Sequence, residues 1–252
     1  MATLKLDVAM RTDRGVVREN NEDAVGVDAS AGLMILSDGM GGANAGEIAS
    51  SLTVDLLLNQ LVVSRSSDAK PLDWDDLLQA LEGVNYAIFE LAGNVPEYHG
   101  MGATLVLGLF QQDGLTYAHV GDSRLYRFRH GALEPLTRDH TLIEELIELG
   151  EFQSMEDAIA AGVSHNVLSR AFGAEPKVEV AVAETDLSAG DLFLFCSDGL
   201  TNMVSERELK DILQSEQFDL KRQVDALIER ACANGGMDNI AVILARVINS
   251  DG

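Results

Sequence analysis

Two apolar runs, far apart in the chain, end in the same three residues, and this repetition restricts the fold more than any other feature. Residues 33–36 lead into Ser37-Asp38-Gly39, and residues 192–196 lead into Ser197-Asp198-Gly199. Each run is short, continuous and bulky, the pattern of a buried strand. A third acid, Asp238, follows Gly235-Gly236-Met237 and precedes the apolar run at 240–244. A fourth cluster, Glu22-Asp23, stands just before residues 24–27. Acids at the ends of distant strands meet only if folding gathers those ends together. So gathered they form a carboxylate cage, the usual way of holding two cations in a hydrolytic site. Taken alone, residues 37–42 fit two readings. Gly39, Gly41 and Gly42 allow positive φ or close approach, and a carboxylate beside bare carbonyls suits a hard divalent cation. The same residues also fit a tight turn whose Asp bonds its own backbone.

The intervening chain reads as strands joined by hairpins, with helices set apart. Leu4, Leu6 and Val8 alternate with Lys5 and Asp7, and residues 12–15 form a turn. Strands at 104–110 and 115–120 flank a turn carrying Asp113-Gly114, and strands at 125–129 and 132–136 flank His130-Gly131. Further strands are expected at 178–182, 191–197 and 240–247. Successive hairpins argue against an alternating βαβ sheet. Ile48, Leu52, Leu56 and Val63 mark a helix over 47–63, followed by a polar break at 64–71. Asp73 caps a helix over 74–93, whose stripe is Leu77, Leu78, Leu81, Val84, Ile88 and Leu91. Thr137-Arg138-Asp139-His140 begins a helical segment that Gly150 ends, and Ser154 caps a short helix through 161. Residues 162–173, with His165, Arg170 and Phe172, are irregular, so 137–173 looks like an insertion or lid. Ser205 and Glu208 form a capping box opening a helix to 213. A last helix over 219–233 stops at Asn234-Gly235-Gly236.

The chain has 252 residues, 41 acids and 18 bases, for a net charge of −23. That length suffices for one domain with a sizeable core, and no linker divides it, so 1–252 is read as a single domain. The negative charge excludes nucleic acid as a partner, because phosphates need Lys and Arg. An anionic substrate would be repelled unless bound cations inverted the local field. Cys196 and Cys232 stand in apolar surroundings without a CxxC pattern and read as reduced core residues. No signal peptide is visible, and no stretch reaches the ~18–20 apolar residues of a membrane helix. A cytoplasmic monomer is expected.

Together these residues resemble the bacterial type of the metal-dependent serine/threonine protein phosphatases, type 2C (the PPM family). The similarity rests on residues 18–23, Asp38-Gly39-Met40-Gly41-Gly42, Gly102-Ala103-Thr104, Gly121-Asp122-Ser123-Arg124, Ser197-Asp198-Gly199-Leu200 and Asp238-Asn239, in that order along nearly the whole chain. The resemblance implies an α+β fold, a four-layer α-β-β-α sandwich of two antiparallel sheets flanked by helices. It implies two Mn²⁺ or Mg²⁺ ions. By position Asp38 bridges both, the Gly39 carbonyl binds one, Asp198 and Asp238 bind the other, and Glu22 and Asp23 hold the ions' waters. Bacterial members often bind a third, weaker ion, for which Asp122 and Asp198 are the ligands here. Arg18 grips the substrate phosphate. Residues 137–173 correspond to the family's flap. Met40 stands where animal members commonly carry a histidine proposed as general acid, a departure shared with bacterial members. The implied partners are phosphoproteins and a cognate serine/threonine kinase.

Water activated by cations needs no side-chain nucleophile, and Cys196 has no Arg-rich phosphate loop around it. Two other readings compete. One is a non-catalytic member serving as a binding module, since fold does not fix function. The other is a calcium-binding structural protein, which lacks EF-hand spacing here.

Overall fold

The computed structural model describes residues 4–248 apart from 43, 69–73, 113, 165 and 216. Asp73, Asp113 and His165, given roles above, therefore lie outside the described residues. Eleven strands form two antiparallel sheets. In the first, β1 (Lys5–Asp13), β11 (Ile240–Ile248), β10 (Leu192–Cys196), β7 (Arg124–Arg129) and β8 (Ala132–Pro135) lie side by side in that order. In the second the order is β2 (Asp23–Asp28), β3 (Leu33–Met40), β5 (Leu105–Gln111), β6 (Gly114–Val120) and β9 (Ala181–Thr185), and β4 (Gly102–Ala103) pairs with β3.

Strand parity builds the layers. In β3, Leu33 and Ile35 face the helices α1 (Ala45–Asp68) and α2 (Trp74–Asn94), while Met34 and Leu36 face the other sheet. In β10, Phe193 and Phe195 point between the sheets, whereas Leu192, Leu194 and Cys196 pack on the opposite helical layer. That layer holds α5 (Asp198–Thr201), α6 (Glu206–Leu213) and α7 (Leu220–Ala233). Both faces of the central strands are covered, which is why they read as unbroken apolar runs. Phe110 meets Phe193 edge-on across the gap, with ring centroids 5.2 Å apart. The result is the expected α-β-β-α sandwich.

Several boundaries differ from the sequence reading, each for a local reason. Asp38 does not sit in a loop: β3 continues through Met40, because Gly39 and Met40 pair with Ala103 and Gly102 of β4. The second Ser-Asp-Gly behaves differently, with Asp198 opening α5. Helix α1 runs on to Asp68, into the polar break expected at 64–71, whose residues 69–71 lie outside the described residues. Its most buried face is made of Ala45, Gly46, Ala49, Ser50, Thr53 and Leu57, and the larger Ile48, Leu52 and Leu56 lie on its half-buried flank. Residues 137–140 are not helical. The helix α3 (Leu142–Glu148) starts only after Thr141, whose side chain accepts from the Glu144 amide. Strand β9 begins at Ala181, so Val178 and Val180 pack on the core from outside it. The short helix α4 (Met155–Ala160) and the capping box of α6 are as expected, whereas Asp219, read as the first residue of the last helix, instead caps it, its side chain accepting from the Arg222 amide. His130 and Gly131, at φ 52° and 79°, make the tight β7–β8 hairpin turn.

Candidate metal centre

A cleft of about 290 Å³ opens at one end of the sandwich, and its walls include Arg18, Glu22, Asp38, Gly39, Met40, Asp122, Asp198 and Asp238. Seven of the eight candidate site residues thus come together, with Met40 beside them. The eighth, Asp23, is buried, opposite Asp38 in the β2–β3 register. Antiparallel partners share a face, so Asp23 and Asp38 both point into the end of the space between the sheets.

Short polar contacts hold the acids in place. The Asp38 amide donates to Thr104 Oγ1 (2.9 Å), and the Thr104 amide donates back to the Asp38 carbonyl (2.8 Å). Thr104 Oγ1 also lies 2.7 Å from Ser123 Oγ, tying β3 to the loop that carries Asp122. Ser197 Oγ donates to Asp23 Oδ2 (2.7 Å) and accepts from the Ala241 amide (2.8 Å), joining the two sheets beneath the cleft. Asn202 Nδ2 donates to Asp198 Oδ2 (3.0 Å). Arg18 Nη2 donates to Asp238 Oδ2 (2.7 Å). Gly39 is required for space: a side chain there would strike the Gly46 carbonyl at the start of α1.

Sequence reasoning named Asn239 and Thr104 only as parts of motifs and gave them no role. Asn239 is buried and binds three ways: Oδ1 accepts from the Glu22 amide (2.8 Å), and Nδ2 donates to the carbonyls of Arg14 (3.0 Å) and Asn20 (2.8 Å). It fastens the segment bearing Arg18 and Glu22 to the root of β11. Asn166 and Leu168, from the 137–173 excursion, also line the cleft. Nothing in their local sequence marks them, since only the path of the chain brings them there.

The electrostatics are those of crowded, buried carboxylates. Burial pushes Asp38 well above the usual carboxylate range, and repulsion from Asp23, Asp198, Asp122 and Asp238 adds to it. Asp23 rises to about 7, chiefly through burial, offset in part by the Ser197 hydroxyl. Asp122 rises to about 7 through burial and then repulsion from Asp198. Asp198 and Glu22 are also raised, burial again leading, with Arg18 opposing the rise at Glu22. Asp23 Oδ1 is buried without a hydrogen-bond partner. Among the described residues no three such side chains already form a finished coordination shell. The donor set nevertheless fits hard divalent cations: carboxylates and a backbone carbonyl, with no thiol and no imidazole among the described residues of the walls.

Comparison with known proteins agrees with this picture. A family model described as protein phosphatase 2C matches residues 14–245. The serine/threonine phosphatase stp of Listeria welshimeri is 40% identical over 242 residues, covering 93% of each chain. The crystal structure of the Mycobacterium tuberculosis serine/threonine phosphatase PstP/Ppp superposes with a TM-score of 0.85 at 35% identity, over 97% of this chain and 99% of that one. The catalytic domain of PstP in complex with two manganese ions gives a TM-score of 0.83 at 36% identity, over 98% of this chain and all (100%) of that one.

Proposed function

The chain belongs to the protein phosphatase 2C family and is a serine/threonine protein phosphatase of the PPM type, and on that premise we propose that it works through a pair of divalent cations held by Asp38, Gly39, Asp198 and Asp238. The observation that carries this is the convergence of carboxylates from separate elements on one cleft, with Asp23 Oδ1 left unpartnered beneath it. The PstP neighbour with two manganese ions supports the number and kind of ion. Bound there, Mn²⁺ or Mg²⁺ would lower the pKa of a coordinated water toward neutrality and offset the charge of an incoming phosphate.

The chain's own residues have separate tasks. Asp38 would serve both ions, the Gly39 carbonyl one and Asp198 and Asp238 the other. Glu22 and Asp23 would hold water, and Asp122 with Asp198 would form a weaker third position. Arg18 uses only Nη2 on Asp238, so its remaining donors can meet a phosphate, for which a planar guanidinium fork is suited. Met40 on the cleft wall offers no proton, and among the described residues no histidine lines the cleft. The leaving oxygen would take its proton from water or from an acid such as Asp122. Residues 137–173 act as a flap within a single domain. The physiological role is removal of phosphate placed on Ser or Thr by a partner kinase in the cytoplasm, by a monomer. Among the described residues no helix is long and apolar enough to cross a membrane.

The test is hydrolysis of p-nitrophenyl phosphate and of a phosphothreonine peptide, with Mn²⁺ and with chelator. Activity that needs the metal, and falls at least about 100-fold in Asp38→Asn and Asp238→Asn, is expected. Full activity in either variant refutes the ligand assignment.

A further inference from the structure

We propose that a second hollow, continuous with the cleft, receives an apolar side chain next to the phosphorylated residue of a protein substrate. This rests on the reading of the cleft as a protein phosphatase site and deepens it. The hollow has a volume of about 300 Å³, and Asn166, Asp198 and Asp238 line both it and the cleft. A phosphorylated side chain in the cleft therefore places its neighbour along the chain at the mouth of this second space.

Met203 and Met237 give the hollow its apolar surface, beside Asn202 and the two aspartates. Met203 and Met237 both border Gly235, within 3.6 and 3.7 Å of where a side chain there would begin. On the other flank of the same Gly235-Gly236 turn stands Val16, whose amide donates to the Gly236 carbonyl (2.8 Å). Val16 is 64% exposed and Met237 56% exposed. Single exposed apolar residues are common and need no explanation. Here they gather around one turn, directly beside the Arg18–Asp238 pair. The turn itself is pinned by Asn234 Nδ2 donating to the Met203 carbonyl (2.8 Å), so the patch is held against α5. Methionine is unbranched and polarizable and fits many apolar shapes. The two methionines of the hollow, with Val16 across the turn from them, would accept Leu, Ile, Val or Met with little preference among them. It would disfavour small polar residues, which leave it uncovered. The opposite wall, Asn166, supplies an amide that can bond a peptide backbone.

The experiment uses the full chain with Mn²⁺ and phosphothreonine peptides that differ at one position at a time, Leu against Ser, within two residues of the phosphothreonine. Leu is expected to raise kcat/KM about tenfold over Ser at one of those positions, mainly through KM. In Met237→Gln the ratio is expected to fall below about twofold, and in Val16→Thr to fall part of the way. Because each value is a ratio within one protein sample, a partly folded variant does not mimic the result. Equal kcat/KM for Leu and Ser at every position in the wild type overturns the proposal, and so does a preference untouched by both variants. If the wild type hydrolyses p-nitrophenyl phosphate with Mn²⁺ but shows no preference, the subsite fails and the phosphatase reading stands. Failure to hydrolyse either kind of substrate overturns both.

Discussion

At Asp23 one carboxylate oxygen accepts from Ser197 and the other meets no donor, which couples protonation, metal binding and stability at a single residue. The folded carboxyl titrates at about 7, as does that of Asp122, far above the 3.8 of a free Asp. The folded, metal-free chain therefore holds more protons than the unfolded chain between roughly pH 4 and 7. The stability these groups contribute is complete below the lower limit and is lost as pH rises through the upper one. Without metal the protein should lose stability from pH 5 to pH 8, whereas Mn²⁺, which needs the ionised acids, should restore it increasingly over the same range. Thermal unfolding in chelator and in Mn²⁺ across that range checks this, and a metal-induced rise in Tm that shrinks with pH would contradict it. Arg18 makes a second case. Its guanidinium is half-exposed and bound to Asp238 through one nitrogen, so Arg18→Ala should raise KM for a phosphopeptide at least about tenfold with a smaller change in Mn²⁺ affinity. Steady-state kinetics at saturating metal would show it, and an unchanged KM counts against a phosphate clamp.

Elements were easier to read from the sequence than their ends. The central strands were legible because helices and the opposing sheet cover both their faces, leaving continuous runs such as Leu192–Cys196. The caps at Ser154 and Ser205 were legible because their chemistry is local. Misread positions depended on distant partners. Asp38-Gly39-Met40 looks like a glycine loop but is strand, since β4 lies alongside it. Residues 137–140 looked helical, yet their polar groups are engaged elsewhere: Thr137 Oγ1 accepts from the Leu125 amide, Asp139 pairs with Arg124, and the His140 amide donates to the Gly121 carbonyl. The eight candidate acids, glycine and arginine were named from motif order, and their gathering at one end follows from strand parity. Asn239 was missed because its three bonds reach segments more than two hundred residues away. Asn239→Ala should cost about 1–3 kcal/mol of stability and, by loosening Glu22, weaken Mn²⁺ binding about tenfold. Urea unfolding in chelator and metal titration measure the two effects separately, and wild-type values in both would remove Asn239 from the site's support.

For the whole molecule, the net charge of −23 and the cleft belong to one problem. Like charges repel across the surface and most strongly where carboxylates crowd, and salt screens the exposed ones over about 10 Å at 0.1 M. The metal-free protein should therefore unfold at a higher temperature as sodium chloride rises from 20 to 300 mM, on the order of a few degrees. The Mn²⁺-loaded protein should respond less, because the buried part of the repulsion is already met. Equal salt responses in the two forms would mean that the cleft contributes little to the strain of the fold.

The most direct test is diffraction from crystals soaked in Mn²⁺ and measured at the manganese absorption edge. Two anomalous peaks in the cleft are expected, both within ligand distance of Asp38, one also near the Gly39 carbonyl and the other near Asp198 and Asp238. Fully active crystals with no peak between these side chains would contradict the assignment.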